Sequence, residues 1–296
     1  MQSRLNERAI KELCSEIESE LSSAALLYRV FGRSKAADSL KRIINKNPKK
    51  YSEGGKKIQD ILGIRITLYF SDDVDLTLDL LKNKYEIIEK DSAIDVPNGE
   101  VFSAKRFNLV FKVKENLDFI KPSGYEKLID DTFEVQIRTV LSEGWHEVEH
   151  DLRYKAQEDW ADHDDLDRAL NGIYATLETS DWSMIKLFEE LSHRHYKNKK
   201  INEMMKTKFR LRLPGKLSDD MESLLLKKDL LKKIFRAPRG EVVQSISTVS
   251  RKIPLTPDLI VHLINRKYIG DADLSKMEGD ILKNYLDSAE LDKFVV

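Results

Sequence analysis

Glu134, Gln136 and Arg138 fall at every second position of the stretch TFEVQIRT, with Phe133, Val135 and Ile137 between them. Period two marks a strand with one apolar and one polar face. A carboxylate and a guanidinium sharing a strand face suit a divalent cation and a phosphate better than a core. The plain alternative is a charged, solvated face. Asp60 and Arg65 form a second such pair in QDILGIRITLYF, among Ile and Leu. Unpaired charge buried among apolar residues is costly, so a metal for Asp60 and a nucleotide for Arg65 would be fitting partners. A third set, Arg33, Lys35, Lys41, Arg42 and Lys46, is either a grip for a polyphosphate or an exposed basic helix face.

These side chains need elements to hold them. Ile61 to Phe70 is predicted as a buried strand interrupted by Gly63, where a backbone or ligand could approach closely. A helix from Asp72 to Leu81 and a short strand from Tyr85 to Ile88 follow. FNLVFKV is another strand, and residues 114–131 are expected to be a long connection that could be mobile. From Val140 the period becomes helical, with Leu141, Trp145, Val148 and Leu152 as its stripe and Glu149, His150 and Lys155 carried along. Upstream, residues 4–31 read as one or two amphipathic helices, and Ser34 or Asp38 could cap a helix ending before Asn47 and Pro48.

After Trp160 the pattern stays helical. Leu166, Leu170, Ile173, Leu177, Trp182, Ile185, Leu187 and Leu191 make two apolar stripes that would pack on the sheet or on a partner, a homo-oligomer included. Lys197 to Arg236 holds thirteen Lys or Arg against five Asp or Glu, and its leucines suggest an amphipathic basic helix. That excess fits either a solvated face or a phosphate-backbone surface. In the tail, Thr256 or Asp258 should start a helix running to Asn265, and another lies near Met277 to Leu286.

Composition narrows the class. The chain has 296 residues, 34% charged and 41% hydrophobic, with a formal net charge of −1. No overall charge argues for nucleic acid. Cys14 is the single cysteine, which excludes an internal disulfide and a zinc ribbon and agrees with a reducing cytoplasm. Gln2 to Glu20 is polar, unlike a signal peptide, and no apolar run reaches the ~18 residues that span a bilayer. The expectation is a cytoplasmic globular protein without a membrane segment.

In order along the chain, RSK…S, D-I-L-G-I-R, E-V-Q-I-R-T and W-H-E-V-E-H-D-L-R-Y-K resemble the synthetase domain of the RelA/SpoT family, the small alarmone synthetases in particular, over residues 20–160. The resemblance implies an α+β fold: a nucleotidyltransferase-like mixed β-sheet flanked by helices. Residues 1–195 would form that domain and residues 196–296 a basic, helical C-terminal region. The implied reaction moves pyrophosphate from ATP to the 3′-hydroxyl of GDP or GTP. By the same resemblance, Asp60 and Glu134 would hold Mg²⁺, an ion that favours carboxylate and phosphate oxygens. Arg33 and Arg65 would sandwich the adenine, and Lys35 and Ser39 would support the donor's phosphates. Lys105, Arg106, Asn108, Gln136, Arg138, His150, Tyr154 and Lys155 would be acceptor-side or supporting residues.

Two departures from the family pattern stand out. Ile43 occupies a position that is usually lysine, with Lys41, Arg42 or Lys46 as possible substitutes. The acceptor loop, approximately G-Y-R-S-L-H in the family, aligns with Ser103 to Asn108, where Ala104 replaces the guanine-stacking tyrosine. Base stacking is worth ~1–3 kcal/mol, so the acceptor stays open: a guanine nucleotide, an adenine nucleotide or a tRNA 3′ end, with an inactive nucleotide-binding regulator as a further reading. KPSGYEKL, with Tyr125, resembles the loop only locally. His146-Glu147-Val148-Glu149-His150 also fits the H-E-x-x-H zinc pattern, with Glu178 as third ligand. Five residues match by chance far more readily than the distributed series, which outweighs it.

Overall fold

A computed structural model of the chain describes residues 2–52, 54–94 and 107–288. Two compact units emerge, residues 1–19 with 28–182 and residues 20–27 with 183–296.

The first unit is built on a five-stranded sheet. Its strands are β1 (Tyr28–Ser34), β2 (Leu62–Leu68), β3 (Ala93–Ile94), β4 (Phe107–Lys112) and β5 (Thr132–Thr139), in the order β1-β2-β5-β4-β3. Only β2 and β5 run parallel, and the other pairs are antiparallel. The sheet is therefore mixed, and the fold is the α+β class expected.

Alternation on the two central strands sets the faces. Leu62, Ile64, Ile66 and Leu68 of β2 are buried, as are Phe133, Val135 and Ile137 of β5. Leu109 and Phe111 of β4 join them, and the rings of Phe111 and Phe133 stack at 5.6 Å with Tyr85 edge-on to Phe133. Helix α1 (Gln2–Ser23) lies close to this face. A Cβ at Gly32 would come within 2.6 Å of the Cys14 sulfur and also meet Ile10, so glycine permits the approach. Burial, then the nearby Glu18 carboxylate, pushes the Cys14 thiol up to about 11.

Helices α2 (Ala37–Lys46), α3 (Val74–Lys84) and α4 (Val140–Glu149) follow β1, β2 and β5. Leu40 of α2 packs with Ile58, Ile61 and Ile129, backed by Ile44, Tyr51 and Tyr125. Neither Ser34 nor Asp38 caps α2, since its N-cap is Ala36. A single 3₁₀ turn at Ser71–Asp73 precedes α3, and the Tyr85–Ile88 segment contributes one bridge, from Ile87 to Phe111.

Several expectations need correction. Residues 28–34 are a strand, not helix: a seven-residue edge strand carrying Gly32 buries too little to show a clean alternation. On α4 the inward stripe is Ser142, Trp145, His146 and Glu149, while Val148 and Leu152 face solvent. The Thr139–Ser142 capping box fixes the helix's rotation as it leaves β5, and hydrophobicity does not decide it. Residues 114–131 are anchored throughout. Asn6 bonds both backbone groups of Ile120, Ile58 and Leu128 share a backbone bond of 2.8 Å, and Val113 donates to Asp131.

Helix α5 (Asp164–Lys197) turns Tyr174, Asp181, Ile185 and Ser192 inward and leaves Leu166, Ile173, Trp182 and Leu187 exposed. The second unit contains α6 (Ile201–Phe209), α7 (Asp219–Lys227), α8 (Leu231–Arg236), α9 (Arg239–Val249), α10 (Pro257–Ile264), α11 (Ala272–Lys276) and α12 (Asp280–Ser288). Met204, Phe209, Leu225, Ile234, Ile246 and Ile260 are among its buried side chains. The basic leucine-rich stretch is two short helices rather than one, broken at Asp229, whose φ is +54°. Thr256 caps α10 as expected. No helix among the described residues is long and apolar enough to cross a membrane.

Candidate active site

The sheet's second face is polar, and register shows which side chains share it. Arg33 pairs with Gly63 and Gly63 with Glu134, so these three form one row across β1, β2 and β5. The next row is Phe31, Arg65, Gln136 and Asn108, and the third brings Arg29, Thr67 and Arg138 together. Gly63, lacking a side chain, separates Arg33 from Glu134 in the first row, where any larger residue would stand between them. Adjacent central strands thus bring together residues far apart in sequence.

Asp60 lies two residues before β2, on a loop fixed when Thr132 donates its hydroxyl to the Gln59 carbonyl at 3.0 Å. Its carboxylate is ion-paired to Lys35, whose backbone donates to the Ile61 carbonyl at 2.9 Å. Burial pushes the Glu134 carboxyl up. The Gln136 amide, donating at 2.8 Å, opposes that, the negative charge of Asp60 adds to it, and Lys35 and Arg33 pull back. Asp60, Glu134, Lys35 and Arg33 are therefore within electrostatic reach of one another.

Two arginines of this face, Arg65 and Arg138, are held by α4. Arg65 bonds Glu143 at 2.7 Å and also pairs with Glu147, while Arg138 lies 3.6 Å from the other oxygen of Glu143. Arg138 also reaches Gln136 at 3.5 Å. Asn108 stands opposite Gln136 with its buried side-chain oxygen unbonded among the described residues. Ser39 is half-buried on α2, one position before Leu40.

His150, Tyr154 and Lys155 make their own group beyond α4, on a π-helical turn at His150–Tyr154. Asp151 accepts from Lys155 at 2.6 Å and lies 3.0 Å from His150 Nδ1, whose ring stacks on Tyr154. Lys105 and Arg106, like Ala104, lie outside the described residues. His146 is buried against Trp145 and Tyr174, and Glu147 is committed to Arg65, which leaves the H-E-x-x-H pattern as part of a packed helix. No group of three or more His, Cys, Asp or Glu poised to hold a metal occurs among the described residues. Two carboxylates are nonetheless enough for magnesium, which completes its shell with waters and substrate phosphates, so Asp60 and Glu134 fit that ion.

Sequence reasoning missed Phe31, which projects from the polar face with 52% of its surface exposed. Its signal was alternation with Arg29 and Arg33, concealed by the helical reading of that stretch. It also missed Glu143, the carboxylate between two arginines.

Residues 32–159 match the family described as the region found in RelA / SpoT proteins. The matched stretch spans β1 from Gly32 through β5 and α4, with every described candidate residue except Phe31 and Arg29, so this part of the chain is similar to that family. Small alarmone synthetase 2 from Bacillus subtilis shares the fold with a TM-score of 0.50 at 21% identity, covering 64% of this chain and 98% of that one. A GTP pyrophosphokinase family protein from Streptococcus pneumoniae aligns with a TM-score of 0.48 at 22% identity over 60% of this chain and 87% of its own. Small alarmone synthetase 1 from Bacillus subtilis, bound to its product pppGpp, gives 0.48 at 20% identity over 63% and 94%. No curated protein matches the chain in sequence.

Proposed function

We propose that the domain transfers pyrophosphate from ATP to the 3′-hydroxyl of a nucleotide. The observation that carries this reading is that Asp60, on the loop entering β2, and Glu134, on the neighbouring β5, feel each other's charge and share Lys35 and Arg33 as nearby cations. In the reaction the acceptor oxygen bonds to the β-phosphorus of ATP, the bond from that phosphorus to the α,β-bridging oxygen breaks, and AMP leaves. Such transfers depend mainly on positioning and on neutralising charge. Lys35 supplies a cation for the donor phosphates, with Ser39 at the start of α2 as a further support, and Arg33 and Arg65 flank the adenine. Glu134, oriented by the Gln136 amide, is placed to receive the proton of the attacking hydroxyl on the carboxylate oxygen not given to the ion. Bound magnesium, held by Asp60 and Glu134, would polarise the phosphoryl oxygens.

Gln136 and Arg138 orient Glu134 and face the acceptor side together with Asn108. Lys105 and Arg106 precede β4 and would approach the same side, while His150, Tyr154 and Lys155 would support the acceptor from beyond α4. The acceptor is a guanine or adenine nucleotide, or a tRNA 3′ end. The tRNA reading draws on the second unit, where the rings of Tyr196 and Phe235 stack at 5.0 Å and Lys208 lies over Phe235 near Arg239. Cations interleaved with aromatic rings suit a phosphate backbone.

The test is incubation with γ-labelled ATP, magnesium and a panel of GDP, GTP, ADP, ATP and bulk tRNA. Label should pass to one acceptor class with release of AMP, and Asp60→Asn or Glu134→Gln should abolish it. Full turnover by either variant would refute the assignment. Nucleotide binding without label transfer to any acceptor would leave a regulator in place of an enzyme.

A further inference from the structure

We propose that Phe31 is the surface on which the base of the donor nucleotide rests. Among the described residues of the five strands it is the one large apolar side chain left exposed. Water-exposed phenylalanine gains by being covered, because removing apolar area from water is favourable. What would cover it is indicated by its neighbours. Arg29 and Arg33 lie on either side along the strand face, and Arg65 stands directly opposite in the antiparallel register. Directly opposed side chains lie about 5 Å apart at Cβ, so a flat group over Arg65 also meets the Phe31 ring.

Cations on three sides disfavour a purely apolar partner and favour one that carries negative charge together with an aromatic plane. A nucleoside triphosphate has both. Arg65 is fixed in place by Glu143 and Glu147, which leaves its charge largely answered by carboxylates. Phe31 has no such commitments and offers an uncharged face to the base. Gly32, the next residue, is held against α1, so the strand carrying Phe31 is anchored from behind.

This inference rests on the reading that ATP is the donor, and its test separates the two. Equilibrium binding to the full chain, with magnesium, is measured for a non-hydrolysable ATP analogue and for inorganic tripolyphosphate, which has the charge but no base. Phe31→Ala should weaken the ATP analogue about 10- to 100-fold, as expected for losing one stacked base, and leave tripolyphosphate unchanged. Phe31→Trp should retain binding and show quenching of its new indole by the analogue. Unchanged analogue affinity in Phe31→Ala, or equal loss of analogue and tripolyphosphate, would overturn the proposal. If the wild-type chain bound the analogue in this way but released no AMP from ATP, the base site would stand and the chemistry would fall. Absence of analogue binding by the wild type would remove both.

Discussion

Gln136 donates its side-chain amide to Glu134 at 2.8 Å, from two residues further along the same strand face. That bond favours the ionised carboxylate, against burial and the charge of Asp60, which both favour the proton. Gln136→Ala removes the opposing contribution, so the Glu134 carboxyl should rise further. The acid limb of the kcat/KM profile for AMP release, which reports the carboxylate becoming protonated, should therefore move to higher pH. A pH–rate series on the two proteins checks this, and a limb that stays fixed or moves down would contradict the assigned role.

Lys35 is paired with Asp60 and, in the proposed reaction, would also meet the donor phosphates. Lys35→Met should raise KM for ATP about 10- to 100-fold, since a hydrogen bond to a charged group is worth ~1.5–3 kcal/mol. Circular dichroism should be unaltered, because the pair is partly exposed to solvent. Initial rates at graded ATP decide the matter.

Glu143 and Glu147 both hold Arg65, but in different surroundings. Glu143 is largely buried and also lies near Arg138, whereas the Glu147 side chain is 50% exposed. Surface ion pairs contribute ~0–1 kcal/mol, while removing one partner of a more buried pair leaves charge poorly compensated. Glu143→Ala should lower both the urea midpoint and ATP affinity, and Glu147→Ala should change either only slightly. Urea titrations and equilibrium ATP binding on both variants provide the comparison.

Asp181 is 5% exposed, accepts from Thr139 at 2.7 Å, and has its carboxyl pushed up by burial. A carboxyl with a raised folded-state value binds its proton more tightly folded than unfolded. Its contribution to stability is therefore fully present below the unfolded value, ~3.9, and lost as pH rises through the folded value. Asp181→Asn should flatten that part of the stability–pH curve and be the more stable relative to wild type above it. Denaturant melts from pH 4 to 8 would show the difference, and parallel curves would exclude the effect.

The central strands were legible because their alternation is strict: Glu134, Gln136 and Arg138 fall on one face as the spacing required. β1 was not, since Gly32 and the exposed Phe31 blur its pattern. The rotation of α4 was hidden for another reason. Its inward face includes Ser142, His146 and Glu149, chosen by a capping box and by Arg153, which bonds Glu149 at 3.2 Å. Hydrophobic spacing carries no record of such choices. Arg65 could be named as a candidate from its apolar surroundings, but its two carboxylate partners lie some eighty positions downstream. Lys105 and Arg106, expected on the acceptor side, fall outside the described residues.

Gly32 and Cys14 together give the protein an internal reporter. Alkylating and disulfide reagents attack the thiolate, and with the thiol at about 11 only about one molecule in a thousand is ionised at pH 8. Because Cys14 is partly exposed, modification of this lone sulfur would proceed slowly in the folded state and faster whenever the first helix lifts from the edge strand. The labelling half-time would report the packing of that helix on the strand without any introduced probe, and nucleotides that tighten the strand should lengthen it.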